Sequence, residues 1–378
     1  MSNKSSVALL ALELMKIKSE NPPGNEADIA EFIKNYLLQI GAKVKLFEPS
    51  KNRVSVLGAI GQGKQLFYCS HSDTVQALGT STPQINSDLL IGRGSVDDKG
   101  PLAAVLAAAK QLVDSDVELN GQLLIGALAD EEEGSVHGAK KLLKQAKDFD
   151  LRPAASVVTE ATDFNVETGE LGVLRFKAYC KGKAVHASRP ENGINAIYLM
   201  NDFVQEFRKL KFEPLSGFPP TTFNVGVIKG GSKQSIVPDY CDADVDVRLN
   251  PAQSKETILA DLLNIEKQLN TKNTNFNLSV NVYRYDAPHK LIGETYFAEL
   301  LQETVKQNGK SGNFIIESGV TIAKFLNLAS FPAIVFGPGK SGLCHSSQES
   351  IAVQDLELAR EIYKNYALNF LGVKNAKS

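Results

Sequence analysis

Four short apolar runs, Leu66–Cys69, Leu123–Ala129, Ser156–Val158 and Ala333–Phe336, each end at a polar or glycine-containing segment, and a histidine or an acid follows soon after. Short runs without polar alternation read as strands buried on both faces, the mark of parallel pairing. Helical patterns accompany them. Over residues 26–40 the positions Ile29, Phe32, Ile33, Tyr36, Leu37 and Ile40 form one apolar face, and Gly41 stands where a left-handed cap belongs. Pro101–Val113 gives a second face through Leu102, Val105, Leu106 and Ala109, opening on a proline suited to a first helical turn. Strands alternating with helices specify an α/β domain built on a mixed, largely parallel sheet.

From about residue 174 the rhythm changes. Leu174–Cys180, Phe223–Ile228, Cys241–Leu249 and Leu278–Tyr285 are strand-like without the alternating helices, and Cys241–Leu249 alternates polar with apolar as a half-exposed antiparallel strand does. Two amphipathic helices go with them, one through Ala196, Met200, Val204 and Phe207, the other through Ile258, Leu259, Leu262 and Leu263. The expectation is an inserted α+β domain over 174–287, a four-stranded antiparallel sheet with two helices, interrupting a first domain of 1–173 and 288–378. A chain of 378 residues suits two cores better than one.

Charge narrows the partners. With 41 basic against 43 acidic residues the formal net charge is −2, which gives nucleic acid or an anionic membrane nothing to hold. A small-molecule partner is expected instead. No stretch approaches the roughly 20 apolar residues of a membrane span, and residues 1–6 followed by a mixed helix do not read as a secretory leader, so a cytoplasmic location is expected. Cys69, Cys180, Cys241 and Cys344 are widely spaced and read as reduced, mostly buried thiols; Cys344 stands out because it adjoins His345.

The acids and histidines at the strand ends carry the chemistry. They fall in five motifs: His71-Ser72-Asp73-Thr74-Val75, Gly92 to Gly100, Asp130-Glu131-Glu132-Glu133-Gly134, Val158-Thr159-Glu160, and Gly337-Pro338-Gly339 followed by His345. Imidazole and carboxylate suit borderline divalent cations, and one carboxylate can bridge two of them. His71, Asp97, Glu132, Glu160 and His345 are therefore the candidate ligands of a two-metal centre. Asp73, two residues from His71, can fix the imidazole tautomer. Of the adjacent pair Asp97 and Asp98, the Gly-Arg-Gly-x-x-Asp context favours Asp97 as the bridge. Neighbouring side chains diverge in a turning segment, so Glu132 can bind metal while Glu131 acts as general base on water, with Glu133 left to solvent. His137 and His289 match no motif and are read as structural. His186 lies in the insert, where a neutral imidazole could steady an oxyanion rather than add a ligand.

These motifs, in this order and over nearly the whole chain, resemble the di-zinc amidohydrolase and peptidase family of acetylornithine deacetylase, succinyl-diaminopimelate desuccinylase, aminoacylase and glutamate carboxypeptidase. The resemblance implies a zinc-exopeptidase-like catalytic domain carrying two Zn2+, replaceable by Co2+ or Mn2+. It places His71, Asp97 and Glu160 around one ion and Asp97, Glu132 and His345 around the other. Glu131 would be the base, Asp73 the support of His71, and the Asp97–Asp98 peptide cis. The insert would be a lid or dimerisation domain of a homodimer, with His186 reaching the partner's site. Arg248 would take a substrate carboxylate, with Asn224, Ser235, Gly319, Thr321 and Lys324 at the substrate pocket. The Gly94–Ala104 stretch is most similar to members that release lysine or ornithine from acylated or carrier-linked forms. Ser235, where many members have Asn, and Gly319–Lys324, where desuccinylases carry Gly-Thr-Ser-Asp, point away from succinyl-diaminopimelate. The reaction implied is hydrolysis of the amide of an N-acyl amino acid, acetylornithine or acetyl-lysine in type, with a dipeptidase or carboxypeptidase as the rival.

Overall fold

The computed structural model describes residues 5–115, 117–272, 277–291 and 295–374. The chain divides into two compact units: Met1–Gly169 with Leu291–Ile315 and Thr321–Ser378, and Glu170–Lys290 with Ile316–Val320. The short segment Ile316–Val320 groups with the second unit although it follows the chain's return to the first.

The large sheet of the first unit runs, in spatial order, Lys43–Phe47, Ser55–Gly61, Gln122–Leu128, Gln65–His71, Ala155–Val158, Ala333–Val335. Its first two pairings are antiparallel and the rest of this series is parallel. Gln65–His71 is buried along its whole length, as a strand paired on both edges and covered on both faces must be. Register brings the carboxyl ends of the parallel strands to one edge: His71 faces Leu128, Cys69 faces Val158, and Val335 faces Val158. The segments that leave this edge carry Asp73, Glu131, Glu132 and Glu160, and open α/β sheets place their ligands at such an edge.

Helix Lys99–Asp114 starts two residues before the proline. Asp98 O accepts from Leu102 N at 2.9 Å, so Lys99 and Gly100 make the first turn, and Pro101 still falls where an N–H needs no partner. Its buried face, with Leu102, Val105, Leu106 and Ala109, packs against Ser6–Lys16 and the long helix Val353–Leu371. Tyr363 of the latter stacks edge-on against Tyr68 at 5.2 Å. A small three-stranded sheet, Gln84–Asn86, Leu89–Ile91 and Ser350–Ala352, ties the chain after His345 to the chain before Asp97.

In the second unit four antiparallel strands run in the order Thr222–Gly230, Tyr240–Leu249, Gly172–Lys181, Leu278–Asp286. Cys241, Ala243, Val245, Val247 and Leu249 are buried while Asp242, Asp244, Asp246 and Arg248 are half-buried, the alternation that a sheet with one covered face imposes. Helices Ala196–Phe207 and Lys255–Lys272 share the apolar core, where Phe176 meets Phe207 at 5.8 Å. No helix among the described residues is long and apolar enough to cross a membrane.

Candidate metal centre

His71 ends its strand wholly buried, which would pull an imidazole pKa down. Hydrogen bonding to Asp73 and Asp97, with the charge of Glu160, outweighs burial and holds it well above its ordinary value. Its Nδ1 lies 3.0 Å from Asp73 O and 3.4 Å from Asp73 Oδ1, while Nε2 lies 2.9 Å from Asp97 Oδ1 and 3.6 Å from Glu160 Oε1. His345 stands in the left-handed region, φ 60°, and presents Nε2 to Asp97 Oδ2 at 3.1 Å and Glu132 Oε2 at 2.9 Å. Those two carboxylates raise the His345 imidazole to about 10.

Two donor sets result, His71–Asp97–Glu160 and Asp97–Glu132–His345, each with its ligand atoms within 4.8 Å of one another. Asp97 belongs to both, one carboxylate oxygen toward each histidine. Two imidazoles with three carboxylates match the donor preferences of zinc, cobalt or manganese. Burial, with the charge of neighbouring carboxylates, pushes Glu131, Glu132 and Glu160 above the usual carboxylate range. A crowd of buried acids of this kind fits a pair of divalent cations.

Asp98 turns elsewhere: its Oδ2 accepts from Ser70 Oγ, from Thr159 Oγ1 at 2.7 Å and from His71 N at 3.3 Å, and burial raises it to about 7. The peptide joining Asp97 to Asp98 is cis. Glu133 is exposed. His137 bonds Ser50 Oγ through Nδ1 at 2.9 Å, and His289 lies 3.8 Å from Glu170. Burial pushes the Cys344 thiol far up, away from thiolate chemistry at neutral pH.

His186, Asn224, Ser235, Arg248 and Gly319 belong to the second unit, where His186 is exposed and its Nδ1 lies 2.8 Å from Ser188 Oγ. Ser235 O accepts from Ala187 N at 2.9 Å, tying the two loops together. Arg248 donates to Asp246 Oδ1 at 2.7 Å and to Ser318 O at 2.9 Å. Thr321 and Lys324 are in the first unit; Thr321 caps helix Ile322–Leu328 through Ala323 N, and Lys324 is fully buried.

The sequence reading named Asp73 but passed over Asn21, Arg53 and Glu26, the residues grouped behind it. Asp73 accepts from Glu131 N at 3.1 Å, Glu132 N at 3.2 Å and Asn21 Nδ2 at 2.9 Å. Asn21 also donates to Asp130 Oδ1 at 3.2 Å, and Arg53 reaches Asp130 and Glu26. The run Asn21-Pro22-Pro23-Gly24 signals a turn; only the fold reveals what the turn supports.

Residues 55–163 match peptidase family M28 and residues 168–274 match a peptidase dimerisation domain. Over 333 residues the chain is 28% identical to an acetylornithine deacetylase of Myxococcus xanthus, covering 85% of this chain and 84% of that one. Its fold is similar to that of a tripeptidase from Staphylococcus aureus (TM-score 0.81, 23% identity, 97% and 99% of the two chains). It is also similar to that of a Bacillus subtilis protein described as a dinuclear metal binding peptidase of the M20 family (TM-score 0.69, 14% identity, 97% and 98%). With two donor sets sharing one carboxylate at the edge of the sheet and a match to a peptidase dimerisation domain following it in the sequence, the chain is similar to the M20 metallopeptidases and amidohydrolases and is a hydrolase of amide bonds.

Proposed function

We propose that the chain is a two-zinc deacylase that hydrolyses the amide of an N-acyl amino acid, acetylornithine or acetyl-lysine in type. The observation that carries this reading is the placement of Asp97 between His71 and His345, each set completed by one glutamate, Glu160 or Glu132. His71, Asp97 and Glu160 would hold one cation and Asp97, Glu132 and His345 the other, with cobalt or manganese as working substitutes. When bound, such a pair polarises the acyl carbonyl and makes water easier to deprotonate. Glu131 takes the proton from the attacking water and passes it to the leaving amine. Asp73 fixes the tautomer of His71 and, through the backbone of Glu131 and Glu132, the facing of base against ligand.

The second unit supplies recognition in this reading. Arg248 takes the substrate carboxylate, Asn224, Ser235, Gly319, Thr321 and Lys324 are the proposed substrate-binding residues, and His186 donates to the oxyanion. The likeness to a peptidase dimerisation domain supports a homodimer in which His186 serves the partner's site. His186→Ala should then fold, keep its metal and lose about 10²–10³ in turnover. Mixing it with a Glu131→Ala variant should restore part of the activity; no recovery despite demonstrated subunit exchange would remove the role in trans. Dipeptides offer the same amide and carboxylate, so kcat/KM for acetyl-ornithine, acetyl-lysine and simple dipeptides decides between deacylase and dipeptidase. Faster turnover of dipeptides would replace the proposed substrate.

A further inference from the structure

We infer that Glu349 is a positioning residue that holds the Asp97 loop and the His345 loop in one register and so sets the Asp97–Glu132–His345 donor set; the inference rests on the two-cation reading above. Glu349 is buried, at 1% exposure. Its Oε1 accepts three backbone N–H groups of a single loop, from Gly94 at 2.9 Å, Val96 at 3.0 Å and Asp97 at 3.2 Å. Its Oε2 accepts from Arg93 of the same loop. Its own carbonyl accepts from Gly92 N at 3.0 Å. One residue thus closes the loop that delivers the shared carboxylate, and one of its donors is Asp97 itself.

The other end of the connection is covalent. Glu349 follows His345 by four residues and directly precedes Ser350–Ala352, which pairs with Leu89–Ile91, the strand leading into the same loop. His345 and Asp97 come from opposite ends of the sequence, and their 3.1 Å approach depends on how these two segments are registered. A backbone ladder alone would fix the strands. The carboxylate fixes the loop beyond them, where Asp97 sits. Charge-assisted bonds from backbone N–H groups are strong and directional, which suits a part that sets geometry rather than merely fills space.

The test uses full-length protein, stripped of metal and titrated with Co2+, read by visible absorption and by competition with a chelator. Wild type should bind two ions per chain. Glu349→Ala should bind the ion of the Asp97–Glu132–His345 set 10–100-fold more weakly, the usual cost of losing a ligand's support, and the other ion, which shares Asp97, less markedly so. Its visible spectrum should change most for the ion of the Asp97–Glu132–His345 set, and at saturating metal kcat should fall while KM moves by less than about twofold. Glu349→Gln, which keeps an oxygen for the three N–H groups but turns a donor toward Arg93, should lie between. Unchanged cobalt affinities and spectra in both variants, with only the melting temperature lowered, would overturn the inference and leave the two-cation reading standing. Should Glu349→Ala fail to fold, a wild-type titration in Glu349→Gln overturns it equally. A wild-type chain that takes up no cobalt overturns the two-cation reading and this inference together.

Discussion

At the level of single residues, Asp73 divides one carboxylate among His71, Asn21 and the backbone N–H groups of Glu131 and Glu132. The carboxylate of Glu132 meets Val75 N and His345 Nε2, and Asp73 fixes the backbone from which it and Glu131 both leave. Glu131→Gln should therefore cut turnover by about 10²–10⁴ while retaining two metals per chain, whereas Glu132→Ala should lose metal; elemental analysis alongside kcat separates them, and equal metal loss in both would merge the two roles. Behind Asp73, Glu26 is buried, and burial first, then the charges of Asp73 and Asp130 against that of Arg53, raises its carboxyl to about 7. The folded state thus holds a proton more tightly than the unfolded chain. That contribution is full below about 4.5 and is lost as pH rises through 7, on the order of 3 kcal/mol. Urea unfolding of wild type and Glu26→Gln at pH 5, 6.5 and 8 should show the variant gaining on wild type as pH rises.

Elements were legible where their periodicity is strong. Leu66–Cys69, Leu123–Ala129 and Cys241–Leu249 announce their strands because burial on two faces, or on one, leaves an apolar run or an alternation in the sequence itself. The five ligand candidates were legible for a related reason: they directly follow such strands or sit in short Gly-marked loops. Asn21, Arg53 and Glu349 were not, because a lone polar residue looks the same whether it faces water or a buried partner, and only tertiary structure tells which. Close approach of backbone is equally silent. Gly337 carries no unusual φ, yet a Cβ there would stand 2.5 Å from Glu160 O, between the strand Ala333–Val335 and a ligand-bearing segment. Gly337→Ala should cost roughly 1–3 kcal/mol by overpacking and loosen the metal held by Glu160. Thermal melts and metal stoichiometry check it; a variant normal in both would mean the two segments can separate freely.

At the scale of the whole molecule, metal and fold are linked. Cations that bind the gathered carboxylates of the folded state hold no equivalent site in the unfolded chain, so they add stability with a logarithmic dependence on their concentration. Dialysis against a chelator should abolish amide hydrolysis and lower the melting temperature, and zinc or cobalt should restore both. Full activity after complete stripping would remove the metal from the mechanism.

On the two-cation reading, the second unit separates four of the proposed ligands from the fifth along the chain. Ribosomes extend a chain at roughly 5–20 residues per second, so His71 exists for on the order of tens of seconds before His345 is made. During that interval the nascent protein carries His71, Asp97, Glu132 and Glu160 without the residue that completes the second donor set. On that reading any cation captured early would meet an unfinished cage, and the last histidine to be translated would decide when the centre is sealed.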